Sequence, residues 1–255
     1  LTHAEQGNLA AYFEHNQAKE LQMSVQLDNR VTPSLHPANV TNLDGYNDAT
    51  AGYVAGVERA FTEAYNGISA VFGGADAVKR DLSLTDAGRT IKIDDMAQRV
   101  FAKVSKLFDA ENVNLSKGIA QIEEKLTAPI NARAAHPIAA EVRAHMRAMS
   151  ETDRTAFIMR AIDSGDTTTV ESVLGAPSYL SGLRAEAQAA LLRMYHEKAA
   201  PDEAARLKVM KAALALLGAR AGLLFTSLEQ AVGAKPHEAQ RLREAKARAD
   251  KALAA

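Results

Sequence analysis

The sequence predicts an all-α fold: elongated, with long helical hairpins flanking a small bundle of short helices and an extended N-terminal arm. Three observations carry this expectation. After Thr50, apolar residues recur at three- and four-residue steps, the period of a helix that buries one side. Ser, Asp, Pro and Gly stand where these runs begin and end, as helix caps and stops do. Finally, 47% of the 255 residues are apolar and 24% are charged, which suffices for a buried core and excludes a disordered chain.

Residues 1–50 form the first segment, a helix followed by an extended arm. His3 to Glu20 reads as a helix with Leu9, Tyr12 and Phe13 on its apolar side, and Leu21, Met23, Val25 and Leu27 then alternate with polar residues as in a strand. The tract from Arg30 to Thr50 holds Pro33, Pro37, Asn39, Asn42, Gly45 and Asn47, so it reads as a loop of the kind that wraps a neighbour or stays mobile.

Residues 51–130 read as a long helical hairpin. Val54, Val57, Phe61, Tyr65, Ile68 and Phe72 form the first stripe, which Gly73-Gly74 is expected to stop. Leu82 to Ile93 fits either a small β-hairpin or a loop into the next helix, with Asp94 or Asp95 as the capping carboxylate. Met96, Val100, Val104, Leu107, Leu115, Ile119, Ile122 and Leu126 keep one stripe up to Pro129. Unbroken, the 32 residues from Asp95 to Leu126 make a rod of roughly 48 Å. A break near Glu111, Asn112, Asn114 or Gly118 is the alternative.

Residues 136–200 read as a small helical bundle. Pro137 opens a helix carrying Ile138, Val142, Met146 and Met149. Ser150-Glu151-Thr152-Asp153 starts the next, with Phe157, Ile158 and Ile162, and Ser164-Gly165 ends it. Asp166 caps a short helix with Val170, Val173 and Leu174, which Gly175-Ala176-Pro177 breaks. Ser181 is expected to cap a fourth helix bearing Leu183, Ala187, Leu191 and Met194. Residues 201–255 read as a C-terminal helical hairpin. Pro201 opens a helix with Leu207, Met210, Leu214, Leu217, Ala221, Leu224 and Leu228 in a near-heptad stripe up to Gly233, and Lys235-Pro236 starts the last helix.

Chemistry-bearing patterns are sparse. Thirty basic and 31 acidic side chains give a formal charge of −1, so no global field favours nucleic acid or anionic lipid. The absence of Cys removes thiol catalysis, disulfides and cysteine-ligated metals. His3, His15, His36, His136, His145, His196 and His237 form no helical ligand pair. Asn42 to Asp48 glances at a calcium loop, but Val40 and Ala51 fall where oxygen ligands belong, so an Asx/Gly turn is the better reading. Tyr195-His196-Glu197 offers polar groups at a helix end. Phosphate-binding glycine loops and nucleophile elbows are missing from the sequence. No catalytic, cofactor-binding or metal-ligating residue is therefore assigned; the chain is not expected to be an enzyme and no cofactor is expected.

Two features bear on partners. Arg241, Arg243, Lys246, Arg248 and Lys251 make the last helix basic, yet Glu238, Glu244 and Asp250 are interleaved and no aromatic residue is present to stack on a base. Nucleic acid is disfavoured as a partner. Gly218 and Gly222 make a small-x-x-x-small step that suits close helix approach, and residues 207–232 give a membrane alternative, also disfavoured. No window reaches the roughly 20 apolar residues of a spanning helix, and Leu1 to Gln6 lacks a signal-peptide pattern, so a soluble protein of a reducing compartment is expected.

The most distinctive text is His136-Pro137-Ile138-Ala139-Ala140-Glu141-Val142-Arg143-Ala144-His145 together with Leu174-Gly175-Ala176-Pro177-Ser178-Tyr179-Leu180-Ser181-Gly182-Leu183. It resembles uncharacterised all-helical proteins encoded by bacteriophages and prophages, over roughly residues 80–255. The resemblance implies a phage setting and carries no site residue across. The expected function is a non-catalytic structural or assembly protein of a virion, acting by self-association and by packing on other structural proteins. The candidate packing and interface residues are Phe61, Tyr65, Ile68, Phe72, Val100, Val104, Leu214, Leu217 and Leu224. The alternatives are a monomeric adaptor or regulator binding a host protein or DNA, and a membrane-active protein released during infection. The expected location is the virion or the bacterial cytoplasm.

Overall fold

The computed structural model describes residues 27–254, so the expected helix at 3–20 and the alternation at 21–26 lie outside the described residues. Those described form nine α-helices and no strand. We label them α1 (Ala38–Thr41), α2 (Ala55–Lys79), α3 (Asp86–Ala134), α4 (Pro137–Arg147), α5 (Glu151–Ser164), α6 (Thr167–Leu174), α7 (Ala185–Ala199), α8 (Pro201–Val232) and α9 (Pro236–Leu253). The all-α expectation is met. The chain gathers into two compact units: 27–39, Glu58–Leu107 and 220–254 in the first, and Val40–Val57 with Phe108–Ala219 in the second. Both units are discontinuous in sequence, because α2, α3 and α8 each contribute to both.

In the first unit, residues 27–39 are folded turns rather than extended chain, with Val31 and Leu35 fully buried. Tyr65 anchors this segment: the Asp28 N–H donates to its hydroxyl at 2.8 Å, and His36 meets its ring edge-on at 5.0 Å. Arg30 clamps the same place, pairing with Asp28 and Asp76 and lying 5.1 Å from the Phe72 ring centre. The Arg30 guanidinium, with Ser69 donating at 2.8 Å, holds the Asp28 carboxyl well below its ordinary range.

Several helix ends differ from those expected. Gly73-Gly74 does not stop α2, which runs on to Lys79. A Cβ on Gly74 would lie 2.9 Å from Met96 Sδ, so this glycine serves close packing on α3 rather than termination. Of the two readings for Leu82 to Ile93, the loop into a helix is the one found. The helix begins at Asp86, before Asp94, with Thr85 Oγ1 accepting from the Gly88 N–H at 3.2 Å. Ile91 and Ile93 mimic a strand's alternation, yet Ile93 is buried and continues the helical stripe to Ala97 and Val104.

In the second unit, α3 passes through Pro129 and ends at Ala134, beyond the expected stop. Proline removes one helical N–H. The extra turn persists because Ile130 and Ala134 are buried, Ile130 in the core of this unit. That core joins Ile130 to Met146, Ile158, Ile162, Val170, Val173, Leu174, Leu183, Leu191 and Tyr195. The short α6 is its hub and packs on α4, α5 and α7. The expected caps hold here. Ser150 Oγ accepts from the Asp153 N–H, Gly165 ends α5 at φ 75°, and Asp166 accepts from the Thr169 N–H at 3.1 Å.

Ser181, like Asp94 and Asp95, is a misplaced cap. Residues 178–180 make a single 3-10 turn, to which Ser181 Oγ bonds back at Ser178 O, and α7 starts only at Ala185. The carbonyls at the end of α4 are satisfied from α5: the Arg154 guanidinium donates to Met146 O and Arg147 O, and also to Gly182 O. Within 40–57, Asn47 builds the expected Asx turn. Its Oδ1 accepts from the Ala49 N–H at 2.9 Å, and Thr50 Oγ1 donates to Gly45 O. Val40 and Thr50 are buried, so this tract too is folded rather than extended.

One sequence expectation is corrected by α8. Lys211 and Arg220 do not disqualify it: by length and composition alone, Pro201–Val232 is long and apolar enough to cross a membrane. Only 28% of its most apolar stretch is buried within the chain.

Candidate functional site

The first unit holds an apolar groove of about 350 Å³. On α3 the residues Asp94, Ala97, Gln98 and Phe101 share one face at helical steps, and on α8 Phe225, Leu228, Glu229 and Val232 do the same. Gly233, at φ 72°, ends α8, and Ala234 and Pro236 close the end of the groove. Phe101 and Phe225 meet edge to face at 6.2 Å between ring centres, yet remain 40% and 48% exposed. Two aromatic rings in edge-to-face contact and left half in water mark a surface that gains from being covered.

The rim is polar and already satisfied. Asp94 accepts from Gln98 Nε2 at 2.9 Å and pairs with Arg243, which also reaches Asp95 at 2.6 Å. Asp95 first, then Asp94, hold the Arg243 guanidinium above its ordinary value. Glu229 pairs with Lys235 and raises that ammonium. The carboxylates at the rim thus face cations of the chain itself. The groove is suited to receiving an apolar side chain, worth about 1.5–3 kcal/mol per residue fully covered. It has no nucleophile–base pair, and no cluster of His, Asp or Glu that could hold a metal ion occurs among the described residues.

A second, smaller cavity of about 200 Å³ lies in the second unit, lined by Leu126, Pro129, Ile130, Glu171, Tyr195 and His196 among others. Tyr195 donates to Glu171 Oε1 at 2.8 Å, and Arg133 Nε holds the other carboxylate oxygen at 3.1 Å. Burial, with the bond to Glu171, holds the Tyr195 phenol up at about 12. His196 is 9% exposed and its Nε2 is sealed from solvent with no hydrogen-bond partner. Burial pushes its pKa down, against the pull of the Leu126 carbonyl. The arrangement is a structural network in which burial disfavours the charged form of one imidazole.

The linkage has a definite sign. A histidine whose folded pKa lies below its unfolded 6.5 leaves the folded state binding fewer protons, so stability is lost as pH falls below about 6.5. The melting temperature is expected to fall between pH 7 and pH 5, and to fall less in His196→Gln. Equal slopes for the two proteins, followed by circular dichroism, would remove His196 from this account.

The nine residues expected to pack or to form an interface divide clearly. Phe61, Tyr65, Ile68, Val104, Leu217 and Leu224 are buried in the chain's own core, and Phe72, Val100 and Leu214 are half-buried. Phe101 and Phe225, which line the groove, escaped the sequence reading. Each sits one position after a stripe residue, Val100 and Leu224, and so looked peripheral to the stripe. No protein-family model, curated protein or solved structure matches the chain.

Proposed function

We propose that this chain is a non-catalytic structural or assembly protein that acts through helix–helix packing, in the setting of a bacteriophage virion. The observation that carries the reading is the groove with its half-exposed Phe101 and Phe225 pair. The open face of α8 adds to it. Gly218 and Gly222 lie within that helix, and a Cβ on either would meet nothing within 4 Å. Glycine costs about 1 kcal/mol in a helix interior relative to alanine, and packing within the chain gives no reason for these two. The occupant we assign to the groove is a second copy of the chain. The rim charges are neutralised in place, and a net charge of −1 sets no barrier to self-approach. The likeness of residues 136–145 and 174–183 to helical phage and prophage proteins supports the virion setting.

The test is Phe101→Glu with Phe225→Glu. Both positions are half exposed, so the helical content should be kept while the mass in solution, measured by light scattering, drops to that of the monomer. An unchanged mass would overturn the assignment of the groove. A second reading, membrane association through residues 207–232, is favoured by the length and apolar composition of α8. Co-sedimentation of the full chain with neutral phosphatidylcholine vesicles supports it, and recovery of all protein in the supernatant rejects it.

A further inference from the structure

We propose that the outer face of α9 is self-complementary and docks antiparallel on the α9 of a second copy of the chain. This rests on the self-association reading above and specifies the orientation of the contact. The inner side of α9 is occupied: Ala239 is fully buried, and half-buried Arg243 reaches Asp94 and Asp95. The outer side carries a shallow concavity of about 490 Å³ lined by Glu238, Arg241, Leu242, Glu244, Ala245 and Arg248, all from α9 itself. A neighbouring hollow shares Glu238 with it and shares Glu229 and Ala234 with the Phe101–Phe225 groove, so the three make one continuous surface.

The order of charges chooses the occupant. Along the face stand Glu238, Arg241, Glu244 and Arg248, alternating in sign. Lys235, Arg243 and Lys246 have carboxylate partners, whereas Arg241 and Arg248 have none among the described residues. Turned end for end about a two-fold axis between positions 242 and 243, the pattern meets its own complement. Arg241 then lies level with the partner's Glu244, and Arg248 lies one residue, about 1.5 Å along the axis, from level with the partner's Glu238. The two-fold repeats each pairing, giving four ion pairs centred between positions 242 and 243, and Ala245 beside them is small enough for close approach. A parallel pair in register would set like charge against like. A partner of uniform charge, DNA included, would meet as much repulsion as attraction. Exposed ion pairs are individually weak and screened by salt, so the contact should weaken as salt rises.

Two single variants of the full chain test this by sedimentation velocity over a range of protein concentration at low and high salt: Arg241→Glu and Glu244→Arg. Both side chains are exposed and neither variant touches Glu238, whose carboxylate accepts from the Lys235 N–H at the start of α9. Each variant alone should associate at least ten-fold more weakly than wild type, and an equimolar mixture should recover association, because positions 241 and 244, both acidic in the first variant and both basic in the second, then face each other. Circular dichroism controls for folding, and Arg248→Gln gives a milder variant that should fall between. If wild type associates and both variants associate equally well, the α9 contact is wrong while the assembly reading stands. If the variants weaken and their mixture stays weak, the charge pairing is wrong. If wild type remains a monomer throughout, both readings fall.

Discussion

Gly175→Ala is expected to lower the melting temperature by about 6–12 °C, the equivalent of about 3 kcal/mol for a chain of this size. A Cβ at Gly175 would stand 2.7 Å from the carbonyl carbon of Ile130 and 2.9 Å from Ala134 Cβ, and closer still to the Ile130 carbonyl oxygen. These are backbone and short side-chain atoms of α3 with no rotamer to turn aside. The added methyl must therefore push the end of α6 away from α3 and open the core formed by Ile130, Val173 and Leu174. Gly73→Ala is the matched control: a Cβ there meets nothing within 4 Å, so the better helix propensity of alanine should stabilise by about 0.5–1 kcal/mol. Thermal unfolding of the two variants checks both signs. Equal effects would mean that the Gly175 contact does not hold α6 against α3.

Leu217→Glu is expected to abolish folding rather than assembly. Leu217 is 2% exposed, so a carboxylate there would be withdrawn from water at a high desolvation cost. The loss should exceed the 2–5 kcal/mol typical of truncating a buried leucine, leaving little helical signal and an insoluble product. The sequence pointed to Leu217 as an interface residue because it lies on the near-heptad stripe of α8. A folded, soluble Leu217→Glu monomer would restore it to that role. The contrast with Phe101→Glu and Phe225→Glu separates the stripe that holds the chain together from the one left open.

Helix periodicity and capping chemistry carried most of the fold. Ser150, Gly165, Asp166, Pro201 and Gly233 act where they were expected, because a cap is decided within four residues of sequence. The misjudged positions depend on packing between distant segments. Gly74 passes for a stop until Met96 is seen against it, and Pro129 until Ile130 is seen in a core assembled from residues 146–195. The tract 30–50 reads as an arm from its Pro and Asn content, yet Val31, Leu35 and Val40 bury themselves individually, without a period to betray them. The groove was invisible for the same reason. Its two phenylalanines are 124 positions apart and join only when α3 and α8 pack.

The mass of the purified wild-type chain in solution, followed by light scattering across a wide range of protein concentration, tests the central claim most directly. Assembly through helix packing predicts a discrete multiple of 27.3 kDa that falls toward the monomer on dilution. A mass of 27.3 kDa at every concentration would contradict self-association and leave the groove without its assigned occupant.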